Sequence, residues 1–298
     1  MKIIPYDPSM LGDLTCYFNG AIECVPHCFP VEPREMEEEL ALPADSRRQM
    51  EAEQIVVIQA KAGIEGYAHY VISRGDERYP EPRAIIRFLH YDRGRRQVGQ
   101  ALIEAVEEDT RRRGIDTITA FPNPYRYRFY CYNHAFLSNY LHHVEALLGF
   151  NGYEKVGGEV FLDSANYAPA SPAPINFGFE VALEWIEGDG ERQDLTIRAM
   201  DGDNCLGVCE HYSCQTYAPT ADLRDWAFCN WLGVEEEVQG KRLGKYLLQK
   251  ARLELHRVGY RHVSISTAAH NHRAHMFYAN DGYDLVHWTY CWKKTLLT

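Results

Sequence analysis

A glycine-containing loop at residues 239–245 runs from an apolar stretch directly into an expected helix. It reads Gln-Gly-Lys-Arg-Leu-Gly-Lys, and its backbone N–H groups would lie at the positive end of the helix, where anions bind. Lys241, Arg242 and Lys245 add positive charge. A nucleotide P-loop needs four residues between its glycines and Ser or Thr after the lysine, whereas this loop has three, followed by Tyr246. The pattern indicates another kind of phosphate site, with an ordinary cationic turn as the alternative.

The loop belongs to a unit that occurs twice in the chain. Gly99 precedes Gly114 by 15 positions, and Gly244 precedes Gly259 by the same 15. Each copy reads as strand, loop, amphipathic helix, glycine stop and strand. In the second helix one face carries the apolar residues Leu247, Leu248, Ala251 and Leu255. This alternation predicts a mixed α/β fold in two copies.

The length of 298 residues suits two domains of roughly 150 residues each. We predict an N-terminal domain at 1–166, a linker rich in proline and small residues at 167–175, and a C-terminal domain at 176–298. In front of its hairpin the first copy has two helix-like stretches, at 7–24 and 32–42. The second copy has only a short extended segment there, so it lacks the front helices.

Two motifs of the second copy resemble those of the GNAT superfamily of acetyl-CoA-dependent N-acetyltransferases. The family's phosphate loop reads Q/R-x-x-G-x-G/A and is matched here except that Arg242 replaces the inner glycine. The later signature N-x-x-A-x-x-L/F-Y-x-x-x-G-F/Y is matched in full from Asn271 to Tyr283. The resemblance covers residues 190–298 well and 50–162 more weakly. It implies two tandem GNAT-like domains, each a mixed, mostly antiparallel sheet flanked by helices.

The resemblance implies acetyl-CoA as co-substrate and assigns roles to residues of the second copy. In the family, the strand before the loop splays away from the strand after the helix, and the pantetheine arm inserts between them. Asn271 would hold the pantetheine arm, and Tyr278 would lie near the sulfur. Backbone groups would contact the pantetheine at Leu232, Gly233 and Val234. The pyrophosphate would bind the loop residues Gln239, Gly240, Lys241, Arg242, Leu243, Gly244 and Lys245.

The chemistry of acyl transfer fits these roles. An amine attacks the thioester carbonyl and a thiolate leaves; a tyrosine, with a pKa of about 10, still holds a proton for the leaving sulfur at pH 7. Tyr278 is therefore the candidate general acid. The acceptor amine must lose a proton, and the nearest carboxylates are Glu210 and the run at 235–237. We keep Glu210 as the candidate base, with a structural role as its alternative, and interpret 235–237 as a solvated loop.

The first copy departs from the family pattern. Leu148 occupies the position of Tyr278, Gln97 stands at the inner glycine, and no asparagine falls at the position of Asn271. Arg95, Arg96 and Gly99 could still bind phosphate. We predict a degenerate N-terminal domain that is structural or shapes the acceptor site.

Two further segments could bind other ligands. His270, His272 and His275 straddle the start of a helix, and beside the GNAT signature we predict that they are polar surface residues rather than metal ligands. The aromatic and basic run at 125–130 could stack on nucleic acid bases, but an interdomain or dimer contact is the preferred interpretation. It lies in a stretch, 121–150, that is longer in the first copy.

Charge and cysteine usage restrict the partners. Lys and Arg number 31 against 42 Asp and Glu, a net charge of −11, which disfavours binding to a phosphate backbone. No apolar stretch is long enough to span a membrane. The nine cysteines form no C-x-x-C pair, so we expect reduced thiols and a cytoplasmic protein. Cys205, Cys209 and Cys214 lack the spacings of zinc sites, and no metal site is predicted.

The sequence thus predicts an enzyme that transfers acetyl from acetyl-CoA to a primary amine of a small molecule or protein. Nucleic acid and membrane are not expected as partners, and a homodimer is left open. The alternative is a non-catalytic acyl-CoA-binding or sensing protein on the same fold. A longer acyl donor is a third possibility.

Overall fold

The structure is a computed structural model that describes residues 2–40, 50–61, 63–75 and 79–296. The first half contains strands β1 (Lys2–Pro5), β2 (Met50–Ala60), β3 (Gly63–Ser73), β4 (Arg83–Tyr91), β5 (Thr117–Ala120), β6 (Leu137–Ser138) and β7 (Glu154–Ser164), with helices α1 (Leu11–Ile22), α2 (Pro33–Leu40), α3 (Arg96–Arg112) and α4 (His142–Phe150). The second half contains strands β8 (Glu180–Ile186), β9 (Asp194–Asp201), β10 (Asn204–Ser213), β11 (Trp226–Val234), β12 (His262–Ala268) and β13 (Asp284–Thr295), with helices α5 (Leu243–Arg257) and α6 (His272–Asn280).

The chain forms two compact units that each contain a strand from the other repeat. The first unit comprises Met1–Glu159 and His287–Thr298, and the second comprises Val160–Val286. Most of β13, the last strand of the second repeat, therefore belongs to the first unit, and the end of β7 belongs to the second. The predicted linear domains, 1–166 and 176–298, do not coincide with these units because the repeats exchange their final strands.

The first unit is a sheet with the strand order β1-β2-β3-β4-β5-β13. Strands β4 and β5 are parallel, while β13 pairs with β5 in antiparallel register. The front helices predicted from the sequence are present as α1 and α2; positions 41 and 42 of the second prediction lie outside the described residues. No helix in the described ranges combines the length and the apolar character needed to cross a membrane.

The aromatic run at 125–130 is part of the core of the first unit. Tyr125, Tyr127, Phe129 and Tyr130 are all at most 2% exposed, and the Tyr127 ring stacks on Phe88 with 5.5 Å between centroids. The alternation of the run buries the aromatic rings and leaves the intervening arginines at or near the surface. Our preferred interpretation of this run as an interdomain or dimer contact was therefore wrong, because its rings are buried by packing within one unit.

The second unit has the strand order β7-β12-β11-β10-β9-β8, in which the last residues of β7 lie beside β12. There the Ser264 hydroxyl donates a hydrogen bond to the Asp163 carboxylate. Helix α5 covers the sheet with the predicted apolar face, which is buried, and the N–H of Tyr260 bonds the Leu255 carbonyl at 3.0 Å around Gly259. Gly259 has a φ of 107°, so it ends the helix in a conformation that favours glycine. The predicted helix and its stop are confirmed.

Candidate active site

A cleft opens where β11 and β12 part. Their parallel pairing ends at Cys229 and Ile265, although β11 continues to Val234. The register between β10 and β11 shifts next to Glu210, which leaves Asn230 as an extra residue. Such a bulge bends its strand and increases the local twist, so β11 leaves its neighbour here.

The cleft has a volume of about 490 Å³ and gathers most of the residues that the sequence singled out. Its predicted members are Leu232, Gly233, Val234, Gln239, Gly240, Arg242, Leu243, Gly244, Lys245, Asn271 and Tyr278. It is also lined by Val238, Arg273, Ala274 and Phe277, which sequence reasoning did not assign. The one signal that could have found Arg273 is its place inside the second motif.

The loop presents backbone N–H groups to this cleft. Helix α5 begins at Leu243, and the first bond into it runs from the Tyr246 N–H to the Arg242 carbonyl at 3.0 Å. The N–H groups of the first turn have no acceptor within the helix, and no side chain caps its start. A Cβ placed on Gly244 would meet only the Val234 side chain, at 3.8 Å. The amides can therefore reach an anion that lies in the cleft.

Helix α6 contributes the other wall. Asn271 precedes its first residue, and its Oδ1 accepts the N–H of Ala274 at 3.2 Å as a helix cap. Tyr278, at 6% exposure, packs edge-on against Phe277 and Tyr283, with centroids 5.1 and 5.6 Å away. The ring of Tyr278 is therefore fixed by its neighbours at the side of the cleft.

The comparisons with known proteins fit this geometry. Residues 165–283 match the model of the acetyltransferase (GNAT) family. Residues 165–283 are therefore similar to this family of acetyltransferases, and the match covers less than half of the chain. No curated protein sequence matches it.

The likeness to solved structures extends over both halves. A tandem GNAT protein from the clavulanic acid biosynthesis pathway is 16% identical with a TM-score of 0.66, over 99% of this chain and 98% of that one. A GCN5-related N-acetyltransferase from Sphaerobacter thermophilus is 15% identical with a TM-score of 0.62, over 99% and 95%. At such low sequence identities the structural likeness establishes only the fold, which is the predicted tandem GNAT architecture.

Three residues that were assigned to the site from the sequence do not have the position or the contacts that were expected. The Lys245 ammonium is 3.3 Å from the Asp281 carboxylate, so its charge is already paired, although the residue still lines the cleft. Lys241 lines an adjoining cavity instead. Glu210 is half-buried on β10 beside the bulge and does not line the cleft. Among the described residues, no carboxylate lines it.

The structure also shows the positions of the acidic run and of the histidine cluster that the sequence singled out. The run at 235–237 is exposed, as the solvated-loop interpretation expects. His272 and His275 lie on α6 with their rings 5.7 Å apart, and His275 Nε2 is 3.3 Å from the Ala268 carbonyl. In the described part of the chain these histidines form no group of donors that could hold a metal ion.

The corresponding place in the first repeat is filled. A Cβ on Gly99 would lie 2.5 Å from the Tyr91 ring and 2.6 Å from Leu147. His143 Nε2 donates to the Tyr91 carbonyl at 3.0 Å, and the Tyr91 hydroxyl donates to the His143 carbonyl at 2.8 Å. Side chains of α4 thus occupy the space beside β4 that the cleft occupies beside β11.

The inner-glycine position of the GNAT loop retains a glycine-like backbone. Arg242 has a φ of 70° and a ψ of 8°, a left-handed conformation that costs a residue with a Cβ about 1–2 kcal/mol. The side chain of Arg242 is exposed, so the backbone rather than packing sets the cost of this position.

We expect Arg242→Gly to be about 1 kcal/mol more stable than Arg242→Ala, measured by urea unfolding at neutral pH. Both variants lack the guanidinium, and only the glycine relieves the left-handed strain. Equal unfolding midpoints for the two variants would contradict the strained conformation.

Proposed function

We propose that the chain transfers acetyl from acetyl-CoA to a primary amine of a small molecule or protein in the cleft between β11 and β12. The observation that carries this proposal is the convergence of the first-turn amides of α5 and the Tyr278 side chain on one cleft. A phosphate-binding helix start at one end and a proton donor at the side suit a thioester that carries a pyrophosphate at its far end.

The residues present fit acetyl-CoA as follows. β11 no longer pairs with β12 at Leu232, Gly233 and Val234, so the backbone there is available to the pantetheine amides. The pantetheine would add to this edge as a further strand. The pyrophosphate would bind the amides from Gly240 to Lys245. Asn271 would offer its side-chain amide to the pantetheine while its oxygen caps α6.

A second cavity, of about 570 Å³, adjoins the phosphate loop and suits the adenosine end of the cofactor. It is lined by residues 174–177 together with Gly240, Lys241 and Arg242. The Lys241 ammonium lies 5.8 Å from the centre of the Phe177 ring. An aromatic ring beside two cations would take a base and a nearby phosphate.

Lys241→Ala should therefore weaken acetyl-CoA binding by about tenfold and leave the affinity for the 3′-dephospho form nearly unchanged. Calorimetric titration with both cofactors measures this difference. Lys293→Ala, which removes an exposed lysine of the first unit, is the control and should change neither affinity. Equal losses for both cofactors would place the 3′-phosphate elsewhere.

In the reaction, the amine nitrogen forms a bond to the thioester carbon and the carbon–sulfur bond breaks. The electron pair leaves with sulfur, which takes the proton of the Tyr278 hydroxyl. The attacking nitrogen loses one proton, and we assign Glu210 as the base that accepts it through a water molecule, since Glu210 lies beside the bulge and does not line the cleft. The Tyr278 oxygen then regains a proton from solvent.

The function is tested by release of free CoA thiol from acetyl-CoA in the presence of a panel of polyamines, amino sugars and lysine peptides. Turnover with one class confirms transfer to an amine and names the acceptor. Tight binding of acetyl-CoA without turnover on any amine favours the alternative, a non-catalytic acyl-CoA-binding protein. Comparing acetyl- with succinyl-CoA decides the acyl preference.

A further inference from the structure

Three soft donor groups meet in the core of the second unit, and none of the three has a role in the proposed acetyl transfer. Cys209 and His211 lie two positions apart on β10, so their side chains share one face of the sheet. Cys229 on β11 is paired directly opposite His211. The exposed fractions are 0% for Cys209 and His211 and 2% for Cys229.

The spacing of the donors matches one metal ion. One ligand atom from each residue lies within 4.8 Å of the other two, and Cys209 Sγ is 3.7 Å from His211 Nδ1. In a tetrahedral zinc site, with sulfur at about 2.3 Å and nitrogen at about 2.1 Å from the ion, these atoms would be roughly 3.6 Å apart. The observed distance would need almost no adjustment on binding.

The polar groups around the donors are incompletely satisfied. His211 Nε2 and the Tyr283 hydroxyl are both buried and have no hydrogen-bond partner within the described residues. A buried imidazole with one unpaired nitrogen is unfavourable as simple packing, so its presence asks for an explanation. A metal ion bound through Nδ1 would fix the ring proton on Nε2 and so give His211 one defined tautomer.

Charge identifies the kind of ion. Deprotonation of both thiols would bring two negative charges into a core that offers them no ion pair in the described structure, and a divalent cation would make the site neutral. Sulfur and imidazole donors select zinc over magnesium or calcium, which prefer oxygen.

We propose that Cys209, His211 and Cys229 bind a divalent thiophilic metal ion, with Zn²⁺ as the probe. Both thiols lose their protons to solvent as two sulfur–metal bonds form, and no oxidation takes place. Because the paired segment of β11 and β12 ends at Cys229, the ion would fasten β10 to β11 where β11 begins to leave β12. The three side chains leave the fourth position of a tetrahedral zinc ion to water, and the site does not depend on the proposed acetyl transfer.

The test is metal stoichiometry after refolding of the full chain with Zn²⁺, since a buried site fills most readily during folding. After removal of loose metal by a weak chelator, we expect one zinc per chain by elemental analysis. Cys209→Ser and Cys229→Ser should retain less than a tenth of that amount. Cys214→Ser, a buried thiol of the same unit, and Cys205→Ser, an exposed one on β10, are the matched controls and should retain it.

A second measurement covers variants that do not fold. Wild-type chain refolded with Co²⁺ should show the charge-transfer absorption of thiolate bound to cobalt, which surface carboxylates and imidazoles do not produce. Absence of retained zinc in the wild type, equal retention in all four variants, or bound cobalt without thiolate absorption would each overturn the proposal.

Discussion

Gly244→Glu should weaken acetyl-CoA binding by at least about 100-fold, which is roughly 3 kcal/mol of binding free energy. The carboxylate would stand at the first turn of α5, where the cofactor's pyrophosphate is expected to bind. The fold should tolerate the change because the only atom near a new Cβ is 3.8 Å away, on Val234. Calorimetric titration gives both the affinity and the number of sites, which we expect to be one per chain.

Two controls separate charge from bulk and one repeat from the other. Gly244→Gln has the same size without the charge and should lose much less affinity than the glutamate. Arg96→Glu places a carboxylate in the first turn of α3, at the equivalent loop of the first repeat, and should leave the affinity unchanged. Gly99 itself is unsuitable because its Cβ would overlap Tyr91. Unchanged affinity in Gly244→Glu, or two sites per chain, would contradict the assignment of the cleft.

Tyr278→Phe should reduce kcat by about 100- to 1,000-fold while changing the KM for acetyl-CoA by no more than about threefold. The substitution removes only the hydroxyl, and the remaining ring keeps its edge contacts with Phe277 and Tyr283. The leaving thiolate would then lack its proton donor. Steady-state release of CoA thiol, with the best amine from the panel, measures both constants.

Tyr246→Phe is the matched control for this experiment. Tyr246 lies on α5 near the loop, packs against Phe179 with centroids 5.1 Å apart and does not line the cleft. Its loss of a hydroxyl should leave kcat within about twofold of wild type. Full turnover in Tyr278→Phe would remove the tyrosine from the mechanism, and equal losses in both variants would indicate a general effect on folding.

Local sequence patterns predicted much of the second repeat. The apolar period of α5 and its glycine stop depend on residues three to five positions apart. The two motifs follow β11 and β12, and the family resemblance implied that these strands lie side by side. Loop and helix signature were therefore expected on one cleft. The left-handed backbone of Arg242 was not predicted, although its position is a glycine in the family motif.

Contacts between distant residues were beyond such patterns. The pairing of Lys245 with Asp281 joins residues on different elements, so composition alone counted that lysine as free positive charge. Because aromatic and basic residues alternate at 125–130, this segment was interpreted as an interdomain or dimer contact. The same alternation suits a segment with one buried face. Cys229 lies on a different strand from Cys209, and spacing rules for zinc sites do not detect ligands that meet only across a sheet.

The exchange of final strands could not be read from the sequence either. Both repeats end with a Gly-Tyr step and a long strand, so similar segments could in principle complete either sheet. Pairing in the folded chain places β13 beside β5 and the end of β7 beside β12.

This exchange gives the first repeat a structural role in the second unit. Strand β12 pairs with β11 up to the residue where the cleft opens, and its other edge is covered by residues that the first repeat encodes. Deletion of the first repeat would leave β12 with a bare row of backbone donors and acceptors, a template for aggregation. The second unit therefore depends for a complete sheet on a segment encoded outside its own repeat.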